Sequence, residues 1–182
     1  MNGINEVIGI TQGEWLNTAP LGVIVEDENS TSARIKLYRS HTRDNIERGA
    51  NLWVNVVYDP FVFVISSFED LQKNYFESMD PPLIRNSLAW AKMETSVEGS
   101  FVHLHLVDGE VMERNFRIRA VNRGFNSLIE ALVHATRYAK SQDEGLKNRI
   151  LYYGKIIEKC GRREEKEAFK LLLDYVGLSS IL

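Results

Sequence analysis

Cysteine is nearly absent. The 182-residue chain has one, Cys160, so an intramolecular disulfide and a cysteine-built zinc site are both excluded. Its four histidines, His41, His103, His105 and His134, fall at no recognised zinc spacing. Excess positive charge is missing too. The formal net charge is −3, which argues against a general nucleic-acid binder. No apolar run approaches the length of a membrane span. The first residues, Met1 to Glu6, lack the basic start and apolar stretch of a secretory signal. There is no glycine-rich loop of the Walker or dinucleotide-binding kind. No Ser-His-Asp or Cys-His arrangement can be argued from spacing. These absences predict a soluble, cytoplasmic protein that meets neither membrane nor nucleic acid.

What is present reads as β structure followed by helix. Hydrophobic residues make up 44 % and charged residues 26 %, an ordinary globular composition. Such a length suits one domain with a modest appendage. Ile4 to Thr11 and Ala19 to Glu26 are strand-like, and Asp27-Glu28-Asn29-Ser30 supplies a turn. From Thr31 to Ser40 the sequence alternates: Ala33, Ile35 and Leu37 share one face, and Arg34, Lys36 and Tyr38 the other. Leu52 to Tyr58, Phe61 to Ser67, Trp90 to Val97, Phe101 to Val107 and Val111 to Val121 complete the strands. Asp59-Pro60 separates two of them, and Glu98-Gly99 and Asp108-Gly109 read as tight turns. Short helices are expected at Thr42 to Ala50 and Glu69 to Ser78. After Asn122-Arg123-Gly124 the period becomes helical, with apolar stripes through Leu128, Leu132, Ile150, Ile157, Phe169 and Leu172. The expectation is a mainly β antiparallel barrel or sandwich over residues 1–122, with a C-terminal helical subdomain, 123–182, packed on it.

Two segments carry candidate chemistry. At Tyr38 to Asn45 a strand gives way to a short helix. Ser40 and Thr42 offer hydroxyl donors there, and Arg39 and Arg43 charge-assisted ones. A helix start attracts phosphate, so the cluster suits a monophosphate; taken alone, the segment reads first as a capped surface helix with exposed arginines. Arg39 is in phase with Ile35 and Leu37, so it should face the core side and have a partner. The second segment is Trp15 to Gly22. Its small residues leave room for a flat ring against the backbone, and a strand start can pair with a pyrimidine-like edge. An ordinary proline-containing loop is the competing reading.

Both segments, in this order and separation, resemble the FMN-binding split-barrel superfamily, and within it the flavin-reductase branch. The matching motifs are Asn17-Thr18-Ala19-Pro20-Leu21-Gly22, Ser40-His41-Thr42-Arg43-Asp44-Asn45-Ile46 and Val54-Asn55-Val56. More narrowly, the chain is similar to an uncharacterised, mainly archaeal family that also shares Asn122 to Asn126 and Ile129 to Arg137. The resemblance implies an antiparallel split barrel. It implies an FMN whose phosphate meets Ser40, Thr42 and Arg43, with Asn45 nearby, and whose ring lies against Ala19, Pro20 and Leu21. It implies a homodimer and a flavin-dependent oxidoreductase of the reductase type, using a nicotinamide cofactor or a small-molecule redox substrate. The alternatives are a carrier of flavin, deazaflavin or haem that does not turn over, and a structural dimer without cofactor. No residue set for a pyridoxal-type substrate is evident.

Other residues are ambiguous. Arg123 can reach a phosphate or an acidic substrate, or clamp the helical tail. Asn126, Glu130, His134 and Arg137 recur on one helical stripe, which reads first as a solvated face and second as a polar cluster toward the pocket or a dimer partner. His103 and His105 share a strand face without a third metal ligand. Cys160 is in phase with an apolar stripe and reads as a buried structural thiol.

Overall fold

Alternating side chains and short turns wind the first part of the chain into a barrel. In the computed structural model, residues 3–13, 15–27, 29–117 and 120–181 are described. The chain forms two compact units, Met1–Tyr58 with Glu69–Arg117, and Asp59–Phe68 with Ile118–Leu182.

Among the described residues the first unit holds eight strands: β1 Gly3–Gln12, β2 Leu16–Val25, β3 Ser32–Lys36, β4 Leu52–Val56, β5 Phe76–Met79, β6 Pro82–Ile84, β7 Ala89–Glu98 and β8 Phe101–Val111. Six of them close an antiparallel barrel in the order β1-β2-β3-β8-β7-β4, with β4 paired back onto β1. Inward positions carry Val7, Leu21, Val23, Ile35, Leu37, Leu52, Val54, Met93, Val102 and Leu104, which pack into one core. A helix, α1 (His41–Glu47), packs on β1 and β2 and adds Ile46 to that core. The β5-β6 hairpin is a separate two-stranded sheet. The expected antiparallel barrel is therefore present.

Several elements differ from the sequence reading. Glu69 to Ser78 is not a helix; it is a loop, a 3-10 turn at Lys73–Tyr75 and then β5. Asp108-Gly109 is not a turn. It lies inside β8, where pairing passes from Leu106↔Met93 to Asp108↔Lys92 and leaves Val107 as an extra residue. Gly109 is needed at that irregularity, because a Cβ there would sit 2.7 Å from the Trp90 carbonyl oxygen. The strand expected from Val111 to Val121 ends at Val111, with a 3-10 turn at Glu113–Asn115; Ile118 and Arg119 lie outside the described residues.

The second unit is helical: α2 Pro60–Ser66, α3 Arg123–Ser141, α4 Glu144–Cys160 and α5 Arg163–Tyr175. The strand expected at Phe61 to Ser67 is α2. Asp59 caps it, accepting hydrogen bonds from the Phe61 and Val62 N–H groups, and Pro60 occupies its first turn. Asn122 and Asp143 cap α3 and α4 in the same way. Leu128, Ala131, Ala135, Ile150, Ile157, Phe169, Leu172 and Leu173 are fully or almost fully buried. Cys160 is half-buried rather than buried. No described helix is long and apolar enough to cross a membrane.

The polar stripe of α3 divides. Asn126, Glu130 and Arg137 are exposed, whereas His134 is buried with its ring stacked on Tyr153, centroids 5.9 Å apart. Burial, and then the charges of Arg149 and Arg137, hold the His134 pKa below the ordinary histidine value, against the opposing pull of Glu130. The unfolded chain then takes up the proton first as pH falls. The neutral imidazole's contribution is complete above about pH 6.5 and declines below it until the folded-state pKa is passed. His134→Gln should therefore flatten the loss of thermal stability between about pH 7.5 and pH 5.5. Parallel pH profiles for the variant and the parent would remove histidine titration as the cause.

Candidate functional site

The site begins with an imperfection in the barrel. β2 pairs with β1 along its whole length, but with β3 only at Val23 and Ile24. Residues 16–22 therefore have no strand beside them on that edge. The Thr18 N–H points away from β1, since it donates to Asp70 Oδ1 at 2.8 Å. Strand direction repeats every second residue, so Pro20 and Gly22 also turn their backbone groups to this edge. Proline is tolerated at such a position because its missing N–H faces no ladder. The edge thus offers the carbonyls of Thr18 and Pro20 and the N–H of Gly22. Ala19 and Leu21 face the core instead, so only Pro20 and the backbone of this segment look outward.

A line of polar side chains holds the edge against α1. Asn17 Nδ2 donates to Asp70 Oδ1 at 3.0 Å, and Thr42 Oγ1 donates to Asn17 Oδ1 at 2.8 Å. Thr18 Oγ1 accepts from the Leu71 N–H at 2.9 Å. Asn45 Nδ2 donates to Thr11 Oγ1 at 2.9 Å. Asn17, Thr18, Thr42, Asn45 and Thr11 are all buried, so these bonds form away from competing water. Asn45 Oδ1 is buried without a hydrogen-bond partner. It faces Gly13, where a Cβ would lie 2.7 Å away.

The phosphate candidates separate on this geometry. Ser40 is exposed; its oxygen caps α1 by accepting from the Arg43 N–H at 3.3 Å, which leaves its hydroxyl hydrogen to donate. Arg39 is exposed and has no ion-pair or hydrogen-bond partner among the described residues. The partner expected for it is missing because β3 ends at Lys36, before the alternation reaches Arg39. Thr42 points inward, and its single hydrogen goes to Asn17. Arg43 donates from Nε to Glu47, from Nη1 to the Leu37 carbonyl and from Nη2 to the Gly99 carbonyl, at 2.7, 3.1 and 2.9 Å. It clamps α1 to the end of β3 and to the β7-β8 turn.

Asn55 is wholly buried and bonded through both its amide nitrogen and its amide oxygen. Its Nδ2 donates to the Pro82 carbonyl at 3.0 Å, and its Oδ1 accepts from the Ile84 N–H at 2.9 Å and the Ser87 hydroxyl at 3.0 Å. It pins the β5-β6 hairpin to β4. Arg123 is exposed and opens α3 in the second unit. Asp70, which no sequence signal marked, is the group on which Asn17 and Thr18 converge. Its partner Asn17 is 53 residues away in sequence, so spacing could not reveal the pair. The rings of Trp15 and His41, both exposed, meet edge-on at 5.9 Å beside Ser40. His103 and His105 are exposed, His103 lies 3.0 Å from Glu98, and no cluster of three metal-binding side chains occurs among the described residues.

Two family models match, one described as the N-terminal domain of a protein of unknown function, DUF447, over residues 5–127, and the other as DUF447 over residues 122–174. An FMN-bound protein of the same family from Methanosarcina mazei is similar over 96 % of this chain and 96 % of its own, at 35 % identity and a TM-score of 0.85. The flavin reductase of styrene monooxygenase from Pseudomonas putida S12 covers 60 % of this chain and 82 % of its own, at 11 % identity and a TM-score of 0.44. An FMN-binding protein from Thermus thermophilus with bound p-hydroxybenzaldehyde covers 62 % and 74 %, at 12 % identity and a TM-score of 0.46.

Proposed function

The chain belongs to the DUF447 family, and we propose that it binds FMN along the open edge of β2, with the phosphate at the turn before α1. The FMN-bound relative from Methanosarcina mazei, 35 % identical over nearly the whole of both chains, carries this reading. The residues present fit the group. A pyrimidine ring edge presents N–H and C=O groups, which the unpaired carbonyls of Thr18 and Pro20 and the N–H of Gly22 complement. Pro20 offers a flat apolar contact, while Ala19 and Leu21 contribute backbone. Arg39 and the Ser40 hydroxyl supply charge and a donor for a phosphate, together with the N–H groups of Arg43 not already bonded to protein. Asn17, Thr42, Asn45 and Asp70 position these groups. Asn55 acts at one remove, through the hairpin it holds. Arg123 is a candidate for the cofactor by resemblance alone.

Bound flavin supplies hydride or electron transfer, so the protein's share is to hold, orient and exclude water rather than to provide classical acid–base residues. That division suits a site built from amides, hydroxyls and backbone. We read the protein as a flavin-dependent oxidoreductase of the reductase type. In this reading it works as a cytoplasmic homodimer with a nicotinamide cofactor or a small redox substrate. Anaerobic addition of a reduced nicotinamide to the FMN-loaded chain tests this directly. Loss of the flavin absorbance is expected; an unchanged spectrum with both common nicotinamides leaves binding without reductase activity.

The phosphate assignment has its own test. Arg39→Ala with Ser40→Ala should weaken FMN about tenfold or more, equal to ~1.4 kcal/mol, and leave riboflavin nearly unaffected. Equal losses for both ligands in a fluorescence titration would move the phosphate elsewhere.

A further inference from the structure

The barrel is packed unevenly along its axis. Toward α1 the interior is filled by Leu21, Ile35, Leu37, Ile46, Leu52 and Val102, each 7 % exposed or less. Toward the opposite end the inward positions shrink to Ala33, Ala89 and Ala91, with valines between them. These small side chains leave a cavity of about 240 Å³, open at one end. Leu106 continues the inward face of Leu104 yet is 41 % exposed, because it borders this opening.

The lining decides what the space can take. Met93, Leu104, Leu106 and the valines line it, together with Trp90. The polar lining groups are Asn5 and Ser30 to Ser32, and the last three are solvent-exposed. Among the described residues no Asp, Glu, Lys, Arg or His lines it, so a phosphate or any other charged group would be desolvated there without a partner from them. Water fares little better, since a site needs two to four polar partners to hold it. Apolar cavities of ~150 Å³ in other proteins stay dry and accept benzene. One Leu in place of Ala91 or Ala33 would narrow this space.

We propose that this end of the barrel is a binding chamber for one small, uncharged, apolar molecule of about one or two rings. An apolar interior with a polar rim at a barrel mouth is a common form of small-molecule site. The chamber is separate from the β2 edge and excludes FMN by charge, so the proposal stands independently of the flavin reading.

Titration of the full chain with indole, by calorimetry or ligand-observed NMR, tests it. Saturable one-to-one binding is expected, and indole-2-carboxylate, which adds a charge, should bind about tenfold more weakly or not at all. Ala91→Leu, which narrows the space without closing it, should weaken indole binding about tenfold while leaving thermal stability unchanged or raised. If that variant does not fold, Ala33→Val serves in its place. Absence of saturable indole binding, equal binding by the narrowed variant, or binding that weakens as protein concentration rises would each overturn the proposal. The last result would assign the chamber to a side chain of a second copy.

Discussion

Asn55→Ala is expected to destabilise the first unit by about 4 kcal/mol, because it strands three buried groups at once. The side chain is fully buried and satisfies the Pro82 carbonyl, the Ile84 N–H and the Ser87 hydroxyl. An unpaired buried donor or acceptor costs about 1–3 kcal/mol, so the sum exceeds what a surface asparagine would give. Ser87 is itself wholly buried, and its carbonyl accepts from Asn115 Nδ2, so slack introduced at Asn55 propagates beyond the hairpin. Urea denaturation of parent and variant measures the effect. A loss below about 1 kcal/mol would mean that water replaces the amide and that Asn55 does not hold the hairpin.

The second large effect lies in the helical unit. Gly124 stands in the first turn of α3, directly against Gly161 at the end of α4. A Cβ on Gly124 would lie 2.3 Å from the Gly161 Cα and 2.6 Å from its nitrogen. Both obstacles are backbone, so no side chain can turn aside. Alanine is the better helix former by about 1 kcal/mol, which works in the opposite direction. Overpacking costs about 1–3 kcal/mol and more where backbone must move, so the clash prevails and Gly124→Ala should lose about 3 kcal/mol. Calorimetric unfolding would show it as a lower Tm. A Tm equal to or above the parent's would mean that the two helix ends do not meet as closely as the structure places them.

The sequence was most informative where one physical cause sets the pattern. Apolar β-type runs between turn residues located most of the barrel strands, alternation located β3, and the 3.6-residue period located α3, α4 and α5. It misled where two causes overlap. Phe61 to Ile65 has strand-like composition, but Asp59 and Pro60 cap a helix, and nearly complete burial hides any amphipathic period. Asp108-Gly109 has turn chemistry but serves a bulge, which looks alike at the level of two residues. The Asn17, Ser40 to Asn45 and Asn55 segments were singled out by resemblance, the middle one also by its helix start, yet the directions of their side chains were not legible. Whether Thr42 faces a ligand or Asn17, and whether Asn55 serves a site or a hairpin, depends on partners far along the chain. Asp70 shows the same limit from the other side, since its importance exists only once β2 and residues 69–72 are brought together.

The claim on which the functional account stands is that this chain binds FMN at the β2 edge. Titration of the purified protein, stripped of any bound flavin, with FMN under fluorescence detection tests it most directly. The account predicts saturable quenching with one FMN per chain, abolished by Pro20→Arg, which places a bulky charge on the outward edge of β2 without disturbing the core face. A chain that remains colourless and leaves FMN fluorescence unchanged would contradict it, as would full binding by the Pro20→Arg variant.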